Sequence, residues 1–522
     1  MALEWASITM LVLIAVVVIY ISSVYLFSPE YDAREPPVLP HMIPYIGHIL
    51  GLIRYGQHYF SILSAENKSL PIFTLQTASK RTYIVASASL VTACERNQKA
   101  LSFFPFISAM TPRIFGIPTK GRAMEIIKHN IDGNDGNWGL VNETSKGMHS
   151  EMAPGSNLDH MNRSMLSIMA TYFDELAREG GLDVDLFAWI RPRFTIASTE
   201  AIYGPGNPFK VEPGLESAFW DFDQDLTMMI LGVAPRILAR KGYAGRRRIQ
   251  QAMIRYFGRG DHKNGLGVIK VRHDVARKYG ATTSEIALFE IGDLLGVLVN
   301  AQPTFFWTLI HMYSDPALLG DIRDEILASG ALKVQMSEDG RRRHTIDITT
   351  LEETCPLIVS AYREVLRLRT LSSSHRWVME DTLLNNQYLL KKDSVLLIPG
   401  ALIHADPVWG PNAKEYNPRR FLKKETNTKP GAYRAWGGGQ TLCPGRFFAT
   451  TEIVSAVAMV VLRFDMEPAD GKGWKMPETD TTKVASSICP PKGDVKVRIT
   501  EREECKGDQW GFAFAEFLNR CS

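Results

Sequence analysis

The chain lacks an excess of charge of either sign. Lysine plus arginine number 59 and aspartate plus glutamate 56 in 522 residues, a formal net charge of +3. A nucleic-acid binder needs a strongly basic face or domain, so that class is set aside. The arginine runs Arg246–Arg248 and Arg341–Arg343 read as solvated faces rather than phosphate clamps. Cysteine is scarce. The six residues Cys94, Cys355, Cys443, Cys489, Cys505 and Cys521 include no Cys-x-x-Cys pair and have no histidine at zinc-finger spacing. Neither a disulfide scaffold nor a structural zinc site is indicated, and the default for each cysteine is a small buried apolar residue. Repeats and low-complexity segments are absent, which excludes solenoids and linker arrays. Apolar residues make up 45% of the chain, the content of a globular protein rather than a polytopic membrane protein.

What is present begins at the N-terminus. Ile8–Phe27 is twenty residues without a charge, enough to cross a ~30 Å hydrocarbon layer as one helix. Trp5, Tyr20 and Tyr25 suit the interfaces. No basic segment precedes the run, and it exceeds a signal-peptide core, so the expectation is a retained single-pass anchor. Glu4 stands before the run while Arg34 and Arg54 follow it, which orients the bulk of the chain to the cytosol. The Asn-x-Ser/Thr sites at Asn67, Asn142 and Asn162 are then expected to stay unmodified. Pro36, Pro37, Pro40 and Pro44 make a stiff extended spacer. The layout predicted is an anchor over 1–28, a proline-rich spacer over 29–50 and one catalytic domain over 51–522.

Strand patterns over Pro71–Gln76 and Arg81–Ser87 come first. Helical periodicity then dominates through Leu158–Glu179, Thr283–Ser314, Leu318–Leu332 and Thr349–Leu368. Strand signals return over Asn386–Ile398 and Lys483–Ile499. The fold class is α+β, mostly α, with small sheets near both ends. The tail Glu501–Ser522 is expected to be a surface-packed helix.

Residues 435–446 read AWGGGQTLCPGR and run into a helical pattern. The glycines allow the backbone to approach a flat ligand, and a cysteine just ahead of a helix N-terminus is favoured as thiolate. A glycine-rich turn with an incidental cysteine is the alternative these residues alone leave open. The stretch resembles the cysteine signature of cytochromes P450, aromatic-x-x-Gly-x-Arg-x-Cys-x-Gly, through Trp436, Gly439, Cys443 and Gly445. Glu364-Val-Leu-Arg367 resembles the family's Glu-x-x-Arg pair, one helical turn apart. Pro418-Arg-Arg420-Phe421 resembles the segment whose arginine joins that pair, and His404-Ala-Asp406-Pro407 through Trp409-Gly-Pro411 is typical of the stretch before it. The resemblance spans residue 8 to about 499. It implies the P450-like fold and heme b, with Cys443 as axial thiolate and Trp436, Gly439 and Gly445 around it. It also implies Glu364, Arg367 and Arg420 as a structural network.

The chain departs from the pattern at two places. Thr441 stands where the family has an arginine for a haem propionate, so His375 and Arg376 are the expected replacements, with His160 and Arg163 as further candidates on a preceding helix. In the long helix, Gln302 and Pro303 replace the family's acid and alcohol. The sequence over 300–307 is similar to the Asn-x-x-Pro-x-x-Phe-Trp pattern of cholesterol 7α-hydroxylase and prostacyclin synthase. Asn300, Gln302 and Thr304 are the candidates for ordering catalytic water. The leading expectation is a haem monooxygenase that takes electrons from NADPH through NADPH-cytochrome P450 reductase at the endoplasmic reticulum membrane. Its substrate would be lipophilic (terpenoid, steroid-like or polyketide-derived), as in fungal specialised metabolism. The alternatives are a haem isomerase or dehydratase acting on a peroxide, and a non-catalytic haem binder. The expected substrate walls are Phe103–Gly121, Leu298–Phe306, Leu371–His375 and Ser486–Cys489.

Overall fold

The computed structural model describes residues 31–514 except 42–46, 77–80, 133–135, 137–138, 233, 423–429 and 484, together with Met10, Ile14, Val17, Val18 and Tyr20. The anchor expected over Ile8–Phe27 therefore lies outside the described residues apart from those five positions. Among the described residues no helix is long and apolar enough to cross a membrane. Part of the spacer is tied down: Thr74 donates its backbone N–H to Pro37 O and its hydroxyl to Pro36 O. Tyr83 donates to the Glu35 carboxylate.

The helices that shape the site are, in chain order, α1 (Gly47–Tyr55), α2 (Ala88–Arg96), α3 (Phe104–Ile114), α4 (Leu140–Glu151), α5 (Ser156–Arg178), α6 (Leu186–Tyr203), α7 (Leu215–Leu231), α8 (Thr283–Tyr313), α9 (Pro356–Arg369) and α10 (Arg446–Arg463). Helix α8 starts at a capping box, Thr282 and Glu285 each satisfying the other's backbone N–H. From Ala301 to Tyr313 every residue is buried, as expected of a helix apolar on all sides. Helix α10 is likewise buried throughout from Thr451 to Arg463. These two helices pack on each other and on α9 to form the centre of the molecule. Trp307 is fully buried there, its indole N–H donating to Cys489 O at 2.9 Å.

A five-stranded sheet flanks this helical body, in the order Ile72–Gln76, Arg81–Val85, Val395–Pro399, Ser373–Val378, Leu101–Ser102. Arg376 lies opposite Leu396 and Ser374 opposite Ile398. The pleat therefore puts Ser374 and Arg376 on one face and His375 on the other. A second sheet joins Phe464–Pro468, Lys496–Glu501 and Leu182–Asp185.

Three local expectations are corrected. The tail is not a helix over its described part: Gln509–Ala513 is a strand, parallel to Arg342–Asp347, which also pairs with Leu332–Met336. Lys483–Ile499 is strand only from Lys496 onward, Thr479–Pro491 and Thr370–Ile488 being isolated bridges. Arg246 is not solvated. It is 7% exposed and donates to Arg113 O at 2.7 Å and Ile114 O at 3.3 Å, because the last turn of α3 leaves its carbonyls without intrahelical donors.

Candidate active site

The cysteine loop closes on itself. Cys443 N–H donates to Trp436 O at 2.9 Å, and a short 3-10 turn, Gly439–Thr441, carries the chain between them. Gly437 has φ +72°, and a β-carbon there would run into Thr441 O. Gly438 is pressed on its open side by the ends of Glu95 and Arg434. Gly445 is the N-cap of α10, and Arg446 donates back to Cys443 O at 3.0 Å. Of the five described cysteines Cys443 alone keeps part of its surface exposed, the others being buried. Burial pushes its thiol up, opposed by the Gly445 N–H and the Arg446 charge. In the polypeptide by itself desolvation wins, and a bound metal cation is what deprotonates such a thiol outright.

The loop is held by a buried ionic network. Arg367 grips Glu364 with two bonds of 2.7 Å, from Nε and Nη2. Arg420 Nε donates to the same carboxylate at 3.0 Å, as does the Asn417 N–H. The remaining guanidinium donors end on carbonyls. Arg367 reaches His404 O at 2.6 Å and Ala413 O at 2.7 Å, and Arg420 reaches Trp409 O at 2.8 Å. One carboxylate on α9 thus organises the whole run from His404 to Arg420. His404 carries the constraint into the loop, because its Nε2 accepts from Arg434 N–H at 2.7 Å. Burial holds that imidazole down to about 3, so it is neutral and available as an acceptor.

Arg376 leans onto the loop from the sheet, 3% exposed, donating to Gly438 O at 3.3 Å and Thr441 Oγ1 at 3.1 Å. His375, on the opposite face, stacks on Phe106 of α3 with centroids 4.6 Å apart, and burial pushes it down to about 4. Arg163 is elsewhere: it lies on α5 with its guanidinium over the Phe514 ring at 4.6 Å. No contact joins it to the cysteine loop among the described residues. Three neighbours went unread in the sequence. Arg434 pairs with Glu95 of α2, and His149 of α4 lies 3.1 Å from Leu442 O. The only sequence signal for Arg434 was an arginine two residues ahead of Trp436, beside a loop lacking one at Thr441.

Helix α8 presents two different faces. Toward α3, the Phe115 ring covers Gly292, whereas Gly296 is exposed in mid-helix with nothing within 4 Å of where a β-carbon would stand. Asn300 accepts from Ser487 N–H at 2.7 Å and Ile488 N–H at 3.2 Å, stitching the helix to residues 487–488. Thr304 donates its hydroxyl to Asn300 O at 2.7 Å. Both groups are thus engaged with backbone. Gln302 is different: it is 0% exposed, and neither its amide oxygen nor its nitrogen has a hydrogen-bond partner among the described residues. It lines a cavity of about 300 Å³ with Pro303, Phe187, Trp220, Asp223 and Lys483. Such orphaned polar atoms facing a space that Asp223 and Lys483 also line are the setting of ordered water.

This donor set fits a haem. It offers one sulfur ahead of a helix, a buried guanidinium (Arg376) that no described carboxylate pairs with, and a helix stripped of side chain at Gly296. The comparisons with known proteins agree. Residues 299–497 match the family model described as Cytochrome P450. The cytochrome P450 monooxygenase nodJ of Hypoxylon pulicicidum is 38% identical over 496 residues, 93% of each chain. The cholesterol 7-alpha-monooxygenase of Cricetulus griseus is 21% identical over 501 residues, 89% of this chain and 93% of that one. In fold, the chain is similar to a retinoic acid-bound cyanobacterial CYP120A1, with a TM-score of 0.67 at 16% identity, over 90% of this chain and all of that one. The chain belongs to the cytochrome P450 family, as an oxidoreductase of the monooxygenase kind whose haem iron is held by a cysteine thiolate.

Proposed function

We propose that the enzyme inserts one atom of O2 into a lipophilic small molecule of terpenoid, steroid-like or polyketide-derived type, with electrons from NADPH delivered by a membrane-bound cytochrome P450 reductase. The observation that carries this reading is the open stretch of α8 at Gly296, exposed with nothing within 4 Å of where a β-carbon would stand. Phe115, just after α3, covers Gly292 one turn before it, and Phe106 of α3 stacks on His375, whose strand also carries Ser373 and Ser374. A bound haem, held through Cys443, would supply the redox-active iron for the O2 chemistry.

Everything else falls to this chain's own groups. Cys443 holds the metal as thiolate, with the Gly445 N–H and the α10 N-terminus tuning its charge. Trp436 and Gly439 shape the loop that would hold the ligand, and Arg376 would offer a cation to one of its propionates. Gln302 has no proton to relay as a carboxyl does. Its free amide would order water in the cavity it shares with Phe187, Trp220 and Lys483, while Asn300 and Thr304 fix the geometry of that part of α8. Glu364, Arg367 and Arg420 are structural. Arg163 lies with its guanidinium over Phe514 and makes no contact with the cysteine loop among the described residues.

Membrane attachment belongs to the same proposal, with the anchor over 1–28, the spacer over 29–50 and the catalytic domain facing the cytosol at the endoplasmic reticulum. It is supported by one apolar end of the globule. Ile49, Leu50 and Ile53 of α1 are 39%, 48% and 63% exposed, and Ile237 and Leu238, beyond α7, 77% and 52%. Gly56, just after α1, abuts Thr481, and Thr482 O accepts from Thr227 of α7, so both groups share one side. The deciding experiment is product analysis with lipophilic candidates, NADPH and reductase, with and without O2. An oxygenated product that needs all three is expected. Turnover that ignores NADPH and O2 would overturn the reading in favour of isomerisation or dehydration.

A further inference from the structure

Two guanidinium groups meet beside the cysteine loop with too little negative charge between them. Arg376 and Arg434 are 3% and 4% exposed. Arg434 forms an ion pair with Glu95 and donates to Ser374 Oγ at 3.0 Å, its Nε having no partner. Among the described residues Arg376 has only neutral acceptors: His375 O at 2.8 Å, Gly438 O and Thr441 Oγ1. Ser374 and Arg376 share one sheet face, and Gly438 touches the ends of both Arg434 and Glu95, so the four side chains form one cluster. Its charge is two cations against one carboxylate. Carbonyls and hydroxyls orient a guanidinium but do not neutralise it, and an uncompensated buried charge is strongly unfavourable. The strain is visible at Arg376, held down to about 10 by burial and by Arg434 beside it. Nearby His375 is neutral and Thr441 uncharged, so neither changes the count.

The missing partner must be an anion that arrives with the ligand, and heme b carries two propionates. We propose that Arg434, held in place by Glu95, acts with Arg376 as a carboxylate clamp for a haem propionate, taking over the cationic role that Thr441 cannot fill. This rests on the haem assignment of the preceding sections. Glu95 is a positioning residue: it aims the Arg434 guanidinium, a role the amide oxygen of a glutamine can also fill, while the charge belongs to Arg434 itself.

The test compares uptake of haem and of haem dimethyl ester, in which both carboxylates are masked, by the full-length apoprotein, read from the Soret band and from retention on gel filtration. Wild type should prefer the free acid, and R434Q should lose that preference by about tenfold, the worth of one charge-assisted hydrogen bond. E95Q should keep it, since Arg434 remains charged. A merely structural Arg434–Glu95 pair would make R434Q and E95Q behave alike, and that outcome overturns the clamp, as does an unchanged preference in R434Q. If R434Q does not accumulate, E95Q/R434Q removes both charges together and carries the same expectation. Wild type that takes up neither porphyrin would overturn the haem assignment itself, whereas uptake of both equally would overturn the clamp alone.

Discussion

Removing the Glu364 carboxylate tests how the loop bearing Cys443 is held in position. Its oxygens accept from Arg367 twice at 2.7 Å and from Arg420 and Asn417 at 3.0 Å each. The side chains of Glu364, Arg367 and Arg420 are 0%, 1% and 5% exposed, so solvent does not screen the interaction. In Glu364→Ala two guanidinium groups stay buried with carbonyl partners only. Breaking one such pair costs about 3–5 kcal/mol. The two pairs share one acceptor, so their costs do not simply add. Even a single such loss consumes much of the ~5–15 kcal/mol that separates folded from unfolded chains. The residues released are those from His404 to Arg420, and through the His404–Arg434 bond the loop itself. Glu364→Ala is expected to accumulate poorly and to carry little haem, with a urea midpoint shifted far below wild type where soluble protein is obtained. Glu364→Gln/Arg420→Gln, which removes one acceptor charge and one cation together, should recover part of the loss. A Glu364→Ala protein with full haem content and stability within about 1 kcal/mol of wild type would refute the argument.

Other expectations concern single groups. Gln302→Leu should leave haem content intact but raise peroxide release per NADPH consumed, because the cavity's water loses its anchor; unchanged coupling would sink the assignment. Asn300→Ala should instead loosen residues 487–488, seen as faster amide exchange there, since it strands their two N–H groups. Gly296→Phe should weaken binding of bulky ligands, measured as the spectral shift on titration, without lowering haem content; an unaltered ligand range would place the substrate elsewhere. Burial pushes Glu452 up to about 8 from 4.5. The folded state therefore keeps a proton that the unfolded chain releases, and the associated stability is full below about pH 4.5 and lost as pH rises through about 8. Glu452→Gln should accordingly raise the melting temperature more at about pH 9 than at about pH 5, and equal shifts would contradict it.

The parts of the site legible in the sequence are those whose chemistry is local. Glu364 and Arg367 share a helical turn, and the glycines, Cys443 and the helix after it sit within a dozen residues. Their meaning is written in spacing. The parts that were not legible depend on pairs distant in the chain. Glu95 and Arg434 are 339 residues apart and Arg376 and Thr441 65, and no periodicity announces such a meeting. Strand Gln509–Ala513 was misread because its aromatic residues suit a helix face as well as a sheet. Its partner, Arg342–Asp347, lies far upstream, and non-local pairing decides strand identity where propensity is ambiguous. Arg163 was linked to the haem through the family pattern of the preceding helix, and the structure instead puts it over Phe514, a residue of the same unforeseen C-terminal segment. Asn300 and Gln302 looked equivalent as polar residues in an apolar helix. Only the position of residues 486–489 separates them, one tied to backbone and the other free.

The central claim is that Cys443 binds the haem iron as a thiolate. The most direct measurement is the absorption spectrum of the reduced, CO-bound protein beside that of Cys443→Ser. The wild-type Soret band is predicted to show the strong red shift of thiolate ligation, and Cys443→Ser to lose it, while substitution of Cys94, Cys355, Cys489 or Cys505 leaves it in place. An unshifted wild-type band, or a shift that survives in Cys443→Ser, would contradict the account.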